Sequence, residues 1–140
     1  LISVVLGASD DETRSRESQR LLSYGFRYYD TQTLFKSGEV IESGVKVWYG
    51  KEDFIDLTIK DNATITFPRG AKDNLKAKVS INDTLEAPIS TGDELGKLEI
   101  VLDDETLLSV PLISVDEIQQ GNIITRLLDW LVLFFTNLLS

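Results

Sequence analysis

Ser43-Gly44-Val45-Lys46 has the S-x-x-K spacing with which serine acyl-transferases place a nucleophile and its lysine one helical turn apart. Ser80-Ile81-Asn82 supplies an S-x-N string, and Ser90-Thr91-Gly92 is the nearest approach to K-T-G, without the lysine. The chemistry fails on geometry. Residues 43–46 and 80–82 lie in stretches of strand-like alternation, where positions i and i+3 point to opposite faces. Gly92-Asp93-Glu94-Leu95-Gly96-Lys97 resembles a phosphate loop loosely, but it is one residue short and carries two carboxylates where phosphate would sit. It reads as a hairpin turn. The acidic groups Asp10-Asp11-Glu12 and Asp103-Asp104-Glu105 lack the alternating ligand spacing of a calcium loop and read as solvated turns. Trp48-Tyr49 could form an aromatic platform, although core or edge packing is the commoner fate of such a pair. The sequons at Asn62 and Asn82 are too frequent by chance to place the chain in a secretory pathway.

Composition removes most other options. The 140 residues contain no cysteine, histidine or methionine, so disulfides, thiolate chemistry and the usual general base are all absent. A net charge of −9 opposes nucleic acid and gives no electrostatic attraction to anionic lipid. At 42% hydrophobic and 26% charged residues, the chain is globular in composition, with room for one ordinary core and some appendages. No catalytic, cofactor-binding or metal-binding residue is assigned.

The elements follow from periodicity. Leu1-Ile2-Ser3-Val4-Val5-Leu6-Gly7 reads as a strand buried on both faces, too short and without the flanks of a signal peptide. A helix follows from the acidic group at 10–12 to about Tyr29, with Leu21, Leu22, Gly25, Phe26 and Tyr29 along one face. This opening segment looks like the last pieces of a larger α/β domain, and the chain like a fragment of a longer protein. From about Thr31 the period becomes 2. Val45, Val47 and Tyr49, then Ile55, Leu57 and Ile59, then Ile65 and Phe67 alternate with other residues. Leu75, Ala77, Val79 and Ile81 follow the same rule, as do Leu98, Ile100 and Leu102. Turns at Pro68-Arg69-Gly70 and Asp103-Asp104-Glu105 separate the runs, the second leading into a strand over 106–115. Such short, regularly spaced strands predict a small antiparallel β-sandwich.

The last nineteen residues, Asn122 to Ser140, have a different pattern. On a helical wheel Asn122, Thr125, Arg126, Asp129, Thr136, Asn137 and Ser140 share one polar arc, joined only by Leu133. Ile123, Ile124, Leu127, Leu128, Trp130, Leu131, Val132, Phe134, Phe135, Leu138 and Leu139 fill the remainder. Arg126 and Asp129 interrupt a stretch already near the minimum spanning length of about 20 residues. The pattern fits a helix lying in a membrane interface with its apolar face down. The competing expectation is a terminal helix packed on a soluble core. Residues 119–122, Gln-Gln-Gly-Asn, read as a hinge with Asn122 as N-cap.

Taken in order, these strings resemble a known family. Leu1 to Gly7 and Glu17 to Arg27 are similar to the final strand and helix of the penicillin-binding domain in low-molecular-mass D-alanyl-D-alanine carboxypeptidases. Val47-Trp48-Tyr49-Gly50, Thr66-Phe67-Pro68-Arg69-Gly70, Asn74-Leu75-Lys76-Ala77, Leu85-Glu86-Ala87-Pro88-Ile89 and Val110-Pro111-Leu112-Ile113 resemble that family's second, all-β domain, and the tail resembles its membrane anchor. The resemblance implies a bacterial, periplasmic serine-type enzyme, peripheral to the inner membrane. It would remove the terminal D-alanine of peptidoglycan stem peptides through an acyl-serine intermediate. The three catalytic motifs of that family belong upstream of Leu1, so no catalytic residue carries over.

The expected organisation is therefore 1–30 as the strand and helix of a truncated catalytic domain, 31–117 as a β-sandwich stalk, and 118–140 as hinge and amphipathic anchor. The residues expected to meet the bilayer surface are Ile123, Ile124, Leu127, Leu128, Trp130, Leu131, Phe134, Phe135, Leu138 and Leu139. Residues 1–29 would face the catalytic domain, and without it would favour self-association of the chain. The alternative function is an autonomous peptidoglycan- or protein-binding β-module whose terminal helix docks a partner. An enzyme in its own right has no triad to stand on.

Overall fold

The computed structural model describes residues 1–140. Helix α1 spans Asp11–Tyr28. Asp10 caps it, its carboxylate accepting the Thr13 backbone N–H at 2.7 Å, and Asp11 and Glu12 place negative charge where the helix dipole favours it. Arg14–Asp11 and Arg20–Glu17 are exposed i,i+3 ion pairs at 3.0 and 3.2 Å, each worth at most a few tenths of a kcal/mol (~0.3). The helix ends where Tyr29 turns to extended backbone and starts strand β1, Tyr29–Phe35.

Strand β1 pairs antiparallel with β4, Ala63–Pro68, from Tyr29↔Pro68 to Phe35↔Ala63. On its outer face two threonine pairs, Thr31–Thr66 and Thr33–Thr64, share hydroxyl hydrogen bonds of 2.7 Å. The second sheet contains β2 (Glu42–Trp48), β3 (Phe54–Thr58), β5 (Leu75–Ile81), β6 (Leu85–Glu86), β7 (Glu94–Leu102) and β8 (Glu105–Ser114). Its order is β5-β7-β8-β3-β2-β6, antiparallel except for the β2–β6 pair at the edge, which is parallel.

The core is filled by the inward residues of these strands. Ala63, Ile65 and Phe67 of β4 are buried while Thr64, Thr66 and Pro68 are exposed, the alternation the sequence carries. They belong to one cluster with Val47, Leu57, Leu98, Ile100 and Leu112, closed by Leu85, Ile89 and Ile118. The mainly β architecture is thus the expected one. At β7–β8 the chain reverses through Asp103 and Asp104, both left-handed (φ 47° and 70°), as a two-residue type I′ hairpin requires. Pro111 sits in β8 opposite Lys97 of β7. On its other side β8 meets β3 only at Ile113 and Ser114, so the missing proline N–H interrupts no ladder.

Three expectations are corrected. Residues 1–6 form no strand: Leu1, Ile2, Val4 and Leu6 are exposed, Ser3 and Val5 are half-buried, and the Leu1 side chain lies beside Gly25 of α1. An apolar run carries the propensity to pair but not a partner, and no strand of this chain runs beside it. Strand β5 shows the alternation but little of the burial, because it is an edge strand and Val79 keeps 37% of its surface. Helix and sandwich also meet two residues earlier than expected, at Tyr29. There the Arg69 backbone N–H donates to the Tyr28 carbonyl (2.8 Å), while its guanidinium donates to the Phe26 carbonyl (2.9 Å) and pairs with Asp30 (3.1 Å).

Two outcomes follow. Leu57→Ala removes a fully buried side chain at the centre of the cluster and should cost about 2–5 kcal/mol in urea unfolding. A loss under about 1 kcal/mol would show a site free to collapse. The Asp10 carboxyl is held below its ordinary value of 3.8, first by the Thr13 N–H and then by the Ser9 hydroxyl. With its folded pKa depressed, the cap contributes fully above 3.8 and is lost as pH falls through the lower folded value. The Thr13 amide shift in NMR should therefore titrate with a midpoint below 3.8.

Candidate functional site

Helix α2 spans Ile123–Leu139 and holds the chain's largest exposed apolar surface. Its start coincides with the expected cap, but the Asn122 side chain makes no capping bond to the backbone. The ten residues singled out from the sequence, Ile123, Ile124, Leu127, Leu128, Trp130, Leu131, Phe134, Phe135, Leu138 and Leu139, are all exposed, from 38% at Leu131 to 86% at Leu139. Trp130 and Phe134 stack at 5.6 Å, and Phe135 meets Phe134 edge-on at 5.8 Å, so the aromatic side chains form one patch.

The half-buried positions of α2 are Thr125, Asp129 and Leu133, four residues apart on one line. That line lies in the polar arc, and it is the edge that rests against the β domain. The Asp129 carboxylate accepts the Tyr49 backbone N–H at 2.8 Å. Leu133, the one apolar residue that strayed into the polar arc, lies on the same edge and, with Trp130 and Phe134, borders a groove against Tyr49, Thr84 and Glu86. The helix is attached the opposite way round from an amphipathic helix docked on a core: the half-buried line is the polar edge, Ile123, Leu127 and Trp130 border a groove against Tyr49 and Ala87, and the rest of the apolar arc turns outward.

The receiving surface is the corner after β2. The Ala87 N–H donates to the Trp48 carbonyl, which ends the pairing of β2 with β6, and Tyr49 then takes a left-handed conformation (φ 62°). The Gly121 N–H donates to the Tyr49 carbonyl at 2.7 Å, and the Lys51 N–H donates to the Gln119 carbonyl at 2.9 Å. Lys51 Nζ adds a bond to Gln119 Oε1 at 2.9 Å. Ile118 is locked to Ile89 by reciprocal backbone bonds of 2.8 and 2.9 Å. The segment 119–122, expected to be a hinge, is a laced joint. A Cβ on Gly50 would stand 2.6 Å from Ile118 Cγ2 and 2.8 Å from the Glu52 carbonyl oxygen. One on Gly121 would stand 2.9 Å from the Gly50 carbonyl oxygen. Both positions need the absence of a side chain.

The residues whose strings suggested acyl transfer lie on separate elements, Ser43 and Lys46 on β2, Ser80 on β5 at the far side of the sheet and Ser90 before β7. Lys46 of β2 pairs with Asp53 at 3.1 Å and lies 5.0 Å above the Trp48 ring and 5.4 Å above Phe54. Ser80 sits on edge strand β5, and the Ser90 N–H is closed onto Asp93 in the turn before β7. Sequence reasoning missed the role of Tyr49. The signal available was Asp129 itself, a carboxylate in an apolar helix that needs a donor.

Comparison with known proteins resolves the ancestry. The family model "Penicillin-binding protein 5, C-terminal domain" matches residues 29–120. The chain belongs to this family. The family's match starts at β1 and ends in the laced joint, one residue before Gly121. Among curated relatives, D-alanyl-D-alanine carboxypeptidase DacC of Escherichia coli is 33% identical over 136 residues, covering 96% of this chain and 34% of that protein. D-alanyl-D-alanine carboxypeptidase DacF of Bacillus subtilis is 33% identical over 127 residues, covering 90% and 32%. Penicillin-binding protein 5 of Haemophilus influenzae matches in structure with a TM-score of 0.77 at 27% identity, covering 83% of this chain and 34% of that one. The chain spans about a third of the length of the curated relatives it matches.

The joint makes a steric forecast. Gly50→Ala should shift the urea midpoint by the equivalent of about 1–3 kcal/mol, because one of the clashing atoms is backbone and has nowhere to go. An unchanged midpoint would mean that the corner is looser than its contacts indicate.

Proposed function

We propose that this chain is the non-catalytic stalk and membrane-surface anchor of a D-alanyl-D-alanine carboxypeptidase, holding its catalytic domain over the periplasmic face of the bacterial inner membrane. The reaction is that named for the relatives, removal of a terminal D-alanine, which the resemblance assigns to a serine nucleophile in a separate domain. Membership of the penicillin-binding protein 5 C-terminal domain family supports the stalk role. The anchor role rests on one observation above all: α2 rests on the β domain by its polar edge and turns most of its apolar arc outward.

The energetics are of the right size. No helix here is long and apolar enough to cross a membrane, and α2, at 17 residues, would be about 25 Å long. Eleven large apolar side chains on it are exposed, and half-burying each in an interface would contribute roughly 10 kcal/mol before ordering and immobilisation are subtracted. Charge contributes little, since Arg126 and Asp129 cancel and Asp116 and Glu117 precede the joint. At the other end, the face of α1 that carries Leu21, Leu22 and Phe26, with Tyr29 just beyond it, is the surface proposed to meet the catalytic domain; Leu21, Phe26 and Tyr29 are exposed.

Flotation with phosphatidylglycerol–phosphatidylethanolamine vesicles tests this reading. The intact chain should float and a chain ending at Gly121 should not. Added salt should leave binding intact or strengthen it slightly, as repulsion from the −9 chain is screened. Replacing Trp130 and Phe134 together by Ser should release the chain, whereas Arg126→Gln should not. Steep loss of binding with salt, or equal flotation without the helix, would overturn the anchor.

A further inference from the structure

A carboxylate is the wrong group for lying on lipid. Asp129 sits in the middle of the most apolar helix of the chain, where at the membrane surface it would oppose anchoring unless it pointed away. It does point away, and it has a donor. The Tyr49 N–H that it accepts lies just beyond the last sheet bond of β2, in a left-handed residue. The carbonyl of the same residue accepts the Gly121 N–H, so one residue of the domain holds both the entry to α2 and a point two turns further along. Two attachments along a helix fix its direction, where one would leave it free to swing. Thr125 and Leu133, one turn to either side of Asp129, are half-buried on the same line, whereas all other positions of α2 are exposed.

We propose that Asp129 is a positioning residue that locks α2 to the β domain through the Tyr49 backbone, setting the angle between domain and membrane without contributing to membrane affinity. The consequence for height and tilt rests on the anchor reading; the lock itself is a property of the chain and can be measured without lipid. A free helix on a mobile linker would tether the domain at any angle. A locked one presents the apolar arc and the long axis of the sandwich in one fixed relation.

The chain has no cysteine, so spin labels at Ser109→Cys on β8 and Thr136→Cys on α2 report one distance. The labelled chain should give a narrow distance distribution both in lipid-free solution and on the same vesicles. Asp129→Ala should lose that narrow peak in both settings, with the circular dichroism of the sheet unchanged and vesicle binding at least as strong. Asp129→Asn, which keeps an accepting oxygen, should restore the peak. A narrow and unmoved peak in Asp129→Ala would overturn the proposal, as would loss of vesicle binding without a change in distance. If the unsubstituted chain fails to bind vesicles, the anchor reading falls while the lipid-free distances still decide the lock.

Discussion

Tyr49 leaves the sheet with its N–H and its carbonyl both engaged by the C-terminal segment, and the C-terminal end of the molecule is organised by those two groups. The carbonyl receives Gly121 and the N–H is received by Asp129. The left-handed backbone that makes this possible is unusual for a residue with a Cβ and costs of order 1 kcal/mol. Core packing immediately beneath it offsets that cost: Val47 is fully buried two residues before, and Ile118 closes the cluster two residues before Gln120. A backbone strained in this way persists only where its surroundings over-determine it.

That joint explains how a helix of this composition coexists with a well-packed domain. An apolar arc wider than the polar one would normally be drawn onto the nearest apolar surface. Here the core cluster beside the joint is already closed by Phe67, Leu85, Ile89 and Ile118 from the surrounding strands and loops, so the helix cannot enter it. What the domain does offer at its edge is unpaired backbone, and a carboxylate is the group that matches it. The polar edge is drawn inward by hydrogen bonding, and most of the apolar arc is left outward by default.

The β domain and the tail were the most legible parts of the sequence. Alternation at 63–67 and 98–100 reports burial because those strands have neighbours on both sides or a sheet beneath them, but it breaks at the bulge after Ile100, where Val101 is buried and Leu102 only half-buried. The same alternation at 75–81 over-reports it, because a pattern cannot say that a strand will stand at the edge. Residues 1–7 fail for a related reason: strand formation is a property of a pair, and the sequence of one member says nothing about the other. The parallel placement of β6 beside β2 was equally invisible, since two residues carry no period.

The sequence by itself determined the composition of each face: which side chains alternate, where turns break them, and which arc of the terminal helix is apolar. Those are local quantities, fixed by spacing along the chain. Only the tertiary structure decided which way the faces turn. That α2 meets the domain by Asp129 and Leu133, that the Tyr49 N–H is the donor to it, and that Gly50 and Gly121 are needed for close approach all depend on residues some seventy to eighty positions apart in sequence coming within hydrogen-bonding distance. Long-range contacts of that kind leave no period to read, because each is made once, between backbone groups that every residue carries.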